Sequence, residues 1–230
     1  MIPYYADDLV TIYHGRAEDV LPTLGTFDAV IADPPYGVGF DYGTDHDDAE
    51  AGYIEWLWPI IEEAERHVSP GGWMVVYQAA RHVRMWPGWF PRDWRLVALP
   101  KMFVQMRAGV VPLYATDYAL VWRLPGGEKA QYEPWMPKGN RDWFLSRTPN
   151  FGLGRRSIKH PCPRPLDAVQ YLVSLFVPPD GAVLDPFVGS GTTLVAAKSL
   201  GRTATGIEVA AEFCDESATR CAQEVLGLVG

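Results

Sequence analysis

"GAVLDPFVGSGTTLVAAKSLGRTATGIE", residues 181–208, reads as a strand, a glycine turn, a helix and a second strand. "GAVLDPF" (181–187) is an apolar run that meets an acid and a proline at its end. Gly189 and Gly191 follow, residues that let backbone approach a ligand closely. A helix opening inside "GSGTTLVAAKSLG" would turn its free N–H groups toward the same point. "RTATGIE" (202–208) then ends in Glu208, seventeen residues after Gly191, where a carboxylate can accept hydrogen bonds from ribose hydroxyls. No Gly-Lys-Ser/Thr follows, so this is not a P-loop, and Leu194 stands where the third glycine of GxGxxG would fall. The unit predicts a nucleoside site on an open α/β sheet.

Working outward, five more runs have strand character: "VTIYHG" (10–15), "FDAVIAD" (27–33), "GWMVVYQ" (72–78), "WRLVALP" (94–100) and "DYALVWRL" (117–124). Several are continuous, as strands buried on both faces of a parallel sheet must be. Ile54, Leu57, Ile61, Ala64 and Val68 recur at helical spacing, and "SPGG" is read as the end of that helix. Further helices are predicted over 165–177, stopping at Pro178-Pro179, and over about 209–226. Strands alternating with helices give an α/β doubly wound, mostly parallel sheet of seven strands.

"ADPPYGVGF" (32–40) puts an acid, two prolines and a tyrosine at the tip of the second run. In a doubly wound sheet, ligands bind beyond the carboxyl ends of strands, so Asp33-Pro34-Pro35-Tyr36 and Asp185–Gly191 can face one cleft. That pairing suits an attack by the exocyclic amine of a base. The lone pair of such an amine is delocalised into the ring, and two acceptors on the NH₂ localise it. Asp33 Oδ and the Pro34 carbonyl are candidate acceptors, held by proline-fixed φ angles. Tyr36 can stack on the base. Within a duplex the amine is out of reach, so the base must be flipped out.

The 230 residues are 48% hydrophobic, enough for one sizeable core. No apolar run reaches membrane-spanning length, and "MIPYYADDLV" lacks a secretory signal pattern, so a cytoplasmic protein with no membrane partner is expected. Cys162, Cys214 and Cys221 form no CxxC pair and the five histidines are scattered; reduced thiols and no metal site are expected. The net charge of −8 conceals an asymmetry. Residues 1–65 carry 15 acids and one base, whereas 126–164 carry eight Lys/Arg and three acids. Residues 125–164, rich in Pro and Gly, read as a small basic and aromatic insert in a single domain spanning 1–230. Lys138, Arg141, Arg147, Arg155, Arg156 and Lys159 interleave there with Tyr132, Trp135, Trp143, Phe144 and Phe151. This composition suits phosphate neutralisation and base stacking; the plainer alternative is that the aromatics pack the insert onto the sheet.

With these motifs in this order, the chain resembles the S-adenosylmethionine-dependent amino DNA methyltransferases of the permuted β group, in which a DPPY motif precedes an FxGxG motif. The resemblance runs through "HGRAEDVLPTLGTFDAVIADPPYG", "YIEWLWPIIEEAERHVSPGGWMVVY" and the segment from Lys159 to Glu208. It implies a class I methyltransferase fold, Rossmann-like with permuted motif order, and S-adenosyl-L-methionine as cofactor. Asp33, Pro34, Pro35 and Tyr36 map to the catalytic motif. Asp185, Phe187, Gly189, Gly191 and Thr192 map to the methionine-side loop, and Glu208 to the ribose acid. "HPCPRP" (160–165) resembles the HPxxKP element, with Arg164 in the lysine position and a cofactor-side role implied. Where relatives carry Gly-Asp, Gly15 is followed by Arg16; Glu18, Asp19 or backbone is the substitute at the cofactor adenine. The implied partner is double-stranded DNA, contacted by Lys138, Arg141, Trp143, Arg147, Arg155, Arg156 and Lys159. A homodimer and a cognate restriction enzyme are further partners the family admits. Asp at the head of the motif points to adenine N6. Cytosine N4, an RNA or protein amide substrate, and a catalytically silent nucleic-acid-binding relative are the alternatives.

Overall fold

Residues 1–37, 51–80, 82–83, 93–102, 115–126, 135–147 and 160–223 are described by the computed structural model. The apolar runs form one mixed sheet. Its strands are β1 (Tyr5–Ala6), β2 (Val10–His14), β3 (Phe27–Ala32), β4 (Val68–Gln78), β5 (Arg95–Pro100), β6 (Thr116–Arg123), β7 (Ala182–Asp185) and β8 (Thr203–Glu208). They lie in the order β1-β2-β8-β7-β3-β4-β6-β5. The central five, β2, β8, β7, β3 and β4, are parallel. β1 runs antiparallel to β2, and β6 runs antiparallel to both β4 and β5.

The helices are α1 (Ala17–Val20), α2 (Tyr53–Arg66), α3 (Leu166–Phe176), α4 (Thr192–Ser199) and α5 (Ala211–Gln223). Successive residues of each central strand serve opposite faces. Ala29, Ile31, Val75 and Tyr77 pack with residues of α3, α4 and α5, whereas Val30, Ala32, Met74 and Val76 pack with those of α1 and α2. Burial on both faces is why these strands are continuously apolar. Ile31 has no exposed surface, so truncating it to alanine costs about 2–5 kcal/mol.

β7 and β3 are neighbours in the sheet although about 150 residues separate them. From β7 the chain passes through α4 to β8 on one side; from β3 it passes through α2 to β4 on the other. The strand order therefore reverses between β7 and β3, and such a switch point opens a crevice at the carboxyl ends of its strands.

Three expectations are corrected. Val68 is not helical: α2 stops at Arg66, and Val68 begins β4. Ser69-Pro70-Gly71-Gly72 lies within that strand, where pairing jumps from Phe27↔Val68 to Ala29↔Trp73. Three extra residues are thus looped out on β4, where Pro70 need not supply a ladder N–H. The sheet has eight strands, the addition being the two-residue edge strand β1. Finally, part of the segment read as an insert belongs to the sheet edge. Ala98 N donates to Asp142 O (2.8 Å), Phe144 N to Ala98 O (3.0 Å) and Ser146 N to Pro100 O (2.8 Å), so 142–146 runs beside β5. Among the described residues, no helix is long and apolar enough to cross a membrane.

Candidate active site

Asp33 follows directly on β3, and the chain then turns at Gly37, whose φ is +61°. A Cβ at Gly37 would come within 2.6 Å of the Tyr53 ring, so glycine alone lets this loop close against α2. Asp185 ends β7, and Gly191 (φ +78°) caps α4, with a Cβ there falling 2.7 Å from Ser217. Arg220 of α5 holds this second loop, donating to the Ser190 carbonyl and, at 3.1 Å, to Thr192 Oγ1. The two strand tips line one cleft enclosing roughly 380 Å³, counted with the space open to solvent. Asp33, Tyr77, His160, Arg164, Asp185 and Thr193 are among its walls, with Phe187, Gly189 and Thr192 of the loop.

The electrostatic centre is Arg164. Its Nε donates to Asp33 Oδ2 (2.6 Å) and its Nη2 to Asp33 Oδ1 (2.7 Å), a bidentate pair. Nη1 lies 3.0 Å from Asp117 Oδ1, and Lys101 Nζ lies 2.9 Å from the same oxygen. The guanidinium also packs over the Tyr36 and Tyr77 rings, 5.2 Å and 5.0 Å from their centroids. Burial opposes its charge, but Asp117, Asp33 and Tyr36 together outweigh that and hold its pKa above the usual arginine range. Burial likewise opposes ionisation of Asp117, yet Arg164 and Lys101 pull it below the ordinary carboxylate value. Tyr36 donates its O–H to Asp33 Oδ1 (3.0 Å). Oδ1 thus holds two donors and Oδ2 one, which leaves Oδ2 room for a further donor.

Asp185 is the second carboxyl of the cleft. Burial pushes its pKa to about 7, against the opposing pull of the Phe187 amide (2.9 Å) and the Thr193 hydroxyl. Among the described residues no cation pairs with it. His160 is pushed down to about 4, chiefly by burial, with Arg164 and Arg220 adding to the effect. It is therefore a neutral ring at physiological pH, set edge-on to Phe213 at 4.8 Å.

The remaining expected residues are distributed unevenly. Pro34 and Pro35 continue from Asp33, Pro34 buried and Pro35 partly so. Glu208 reaches the glycine loop but does not line the cleft; its Oε2 accepts Gly189 N (2.7 Å) and its Oε1 accepts Ala210 N (2.8 Å). Burial raises its pKa more than these amides lower it. Gly15 N donates to the Glu208 carbonyl (2.9 Å), while Arg16 is exposed and 3.6 Å from Glu18. Arg164, expected toward the cofactor, joins the cleft wall but spends its hydrogen bonds on Asp33, Asp117 and the Tyr36 hydroxyl. Lys138, Arg141, Trp143 and Arg147 are exposed along the β5 edge, about a neighbouring strand that is firmly held. Tyr171 O–H donates to Arg141 O (2.6 Å), and Asp167 accepts from Ser146 Oγ (2.6 Å) and Arg147 N (2.9 Å). Arg155, Arg156 and Lys159 lie outside the described residues.

Tyr77, Lys101 and Asp117 were not foreseen at the site. Tyr77 near the end of β4 obeys the same strand-tip rule as Asp33 and could have been found by it. Asp117 could not: it is the second residue of β6, and only because β6 is antiparallel do its first residues lie beside the last residues of β4. Lys101 follows β5, brought to the same edge by the second antiparallel pairing.

The arrangement offers a cradle of backbone amides, an unneutralised carboxyl for a cation, and beside them a fixed acceptor. Known proteins share this fold and sequence pattern. The type II methyltransferase M.ScaI of Streptomyces caespitosus is 24% identical over 98% of this chain and 86% of its own length. The S-adenosylmethionine complex of M1.HpyAVI shares the fold with a TM-score of 0.74 over 92% of this chain and 98% of that one, at 24% identity. The cytosine-N4-specific PvuII DNA methyltransferase does so with a TM-score of 0.68 over 95% and 88%, at 17% identity. The DNA methylase family of N6 and N4 methyltransferases matches residues 27–219, and the chain belongs to this family of S-adenosyl-L-methionine-dependent enzymes that methylate amino groups of DNA.

Proposed function

We propose that this protein methylates the N6 amine of adenine in double-stranded DNA, on a base flipped out into the cleft at the ends of β3 and β7. The observation that carries the reading is Asp33 Oδ2, which holds a single donor among the described residues and lies in one cleft with the glycine loop. The cleft fits the cofactor: a carboxyl with no cation among the described residues and a glycine turn opening a helix converge there. When bound, S-adenosylmethionine supplies an electrophilic methyl group on a sulfonium.

The chain's own residues do the rest. Asp33 Oδ2 and the Pro34 carbonyl accept from the target NH₂ and localise its lone pair. Arg164 and Tyr36 fix the Asp33 carboxylate in one orientation, so no reorganisation is needed as charge develops on the amine. Tyr36, whose ring already carries the Arg164 guanidinium on one side, supports the base by stacking. Asp185, Phe187, Gly189, Gly191 and Thr192 hold the methionine side of the cofactor. Glu208 braces Gly189 and serves the ribose through its remaining lone pairs. Lys138, Arg141, Trp143 and Arg147 contact DNA, with Arg155, Arg156 and Lys159 assigned by sequence. The setting is cytoplasmic; a second copy or a restriction partner would extend recognition beyond a short segment.

The second reading is cytosine N4, favoured by the shared fold of the cytosine-N4-specific PvuII enzyme. Nucleoside mass spectrometry of DNA from cells expressing the protein separates the two. N6-methyladenine above the level of an Asp33→Ala control is the expected result. N4-methylcytosine would transfer the assignment to cytosine. DNA without added methyl groups, from a protein that still binds cofactor, would mark a silent DNA-binding relative.

A further inference from the structure

Tyr77 is 2% exposed, lines the cleft and, among the described residues, has no hydrogen-bond partner for its hydroxyl oxygen. A buried phenol left this way is costly, since folding has removed water from it and given nothing back. Its ring is well used, packed among the core residues and under the Arg164 guanidinium. Only the hydroxyl lacks a purpose in the ligand-free protein.

The charges around it indicate what would satisfy it. Asp33 and Asp117 share Arg164, and Asp117 has Lys101 as well. Asp185 has amide and hydroxyl donors but no cation among the described residues. The cleft therefore presents one carboxyl without a counter-charge and one phenolic oxygen without a donor. A primary ammonium carries three N–H donors and a positive charge, and can serve both at once. An anion would meet Asp33 and Asp185 in the cleft wall, with the Arg164 guanidinium already shared between Asp33 and Asp117.

We propose that the Tyr77 hydroxyl is a binding residue for the α-ammonium of the cofactor's methionine moiety, acting with Asp185. The assignment rests on the reading of this cleft as the cofactor's methionine site. Tyr77 acts as the acceptor; burial holds its own proton far above the usual phenol range, so it stays neutral beside the cation.

Calorimetry tests this with three ligands: S-adenosylhomocysteine, its desamino analogue and 5′-methylthioadenosine, which has no amino acid part. In Tyr77→Phe, affinity for S-adenosylhomocysteine should fall about tenfold, the scale of one hydrogen bond to a charged group. Affinity for the other two should not change. The ligand-free thermal midpoint should hold or rise, because the atom removed had no partner. Unchanged S-adenosylhomocysteine binding in the variant overturns the proposal, as does an equal loss for all three ligands. Wild-type protein gives an independent check: it should prefer S-adenosylhomocysteine to the desamino analogue, and equal affinities overturn the ammonium site whatever the variant does. Wild-type protein that binds none of the three refutes the cofactor reading of the cleft itself, a distinct failure.

Discussion

Asp185 shows how burial and function pull one residue in opposite directions. Its carboxyl titrates at about 7 in the folded protein against 3.8 in an open chain. The folded state therefore holds a proton that the unfolded state releases between those values. The Asp185 contribution to stability should therefore fall as pH rises from about 4 to about 7, by a few kcal/mol in total. Asp185→Asn should remove most of that slope and melt higher than wild type at pH 8, which thermal scans across pH would register. Cofactor binding should show the reverse trend. An ammonium needs the carboxylate, so S-adenosylhomocysteine affinity should weaken as pH drops below about 7, while 5′-methylthioadenosine affinity stays level. His160 works the other way: neutral in the fold down to about pH 4 but protonated in the open chain below about 6.5, it adds stability as pH rises through that window, so the Asp185 contribution is read from the difference between wild type and Asp185→Asn. Glu208, also raised by burial, is the other group to control for, and a Glu208→Gln variant that keeps the slope would leave Asp185 as its source.

At the scale of elements, what could be read from the chain was what depends on local pattern. The continuous runs of β3, β7 and the second half of β4 are strands because both faces are buried, and the glycine loop and strand tip announce themselves by residue type. What could not be read depends on pairing. Tyr5–Ala6 is too short to carry a period, and Ser69–Gly72 contains turn residues yet lies inside β4 as a bulge. Asp117 and Lys101 reach the site only through two antiparallel pairings at the far side of the sheet. The stretch 142–146 has both expected natures. Phe144 stacks on Tyr171 at 4.7 Å and joins the core, whereas the adjacent Trp143 is 44% exposed under Arg141. Phe144→Ala should cost about 2 kcal/mol of stability, less than a fully buried ring. Trp143→Ala should leave the melting midpoint nearly unchanged and weaken DNA binding by about 1–3 kcal/mol if it stacks on a base. Denaturant titration and DNA binding on the same two variants would show this division. Equal stability losses would instead make Trp143 a structural residue.

For the molecule as a whole, an acidic chain must still approach a polyanion. The first 65 residues hold 15 of its 28 acids, and the bases gather elsewhere. Exposed Arg141 and Arg147 flank Trp143 on the β5 edge. Each phosphate they neutralise adds about 0.9 to the slope of log affinity against log salt, so replacing both with alanine should flatten it by up to about 2. An unaltered slope would place the DNA path on another surface. In the proposed mechanism the tip of β3 does the chemistry while the glycine loop beyond β7 holds the cofactor. The single-turnover rate of methyl transfer to DNA by Asp33→Ala, at saturating cofactor, tests this most directly. Loss of one preorganised acceptor should lower the rate about 10²–10³-fold, the effect known for comparable preorganised groups. A rate close to wild type would contradict the account.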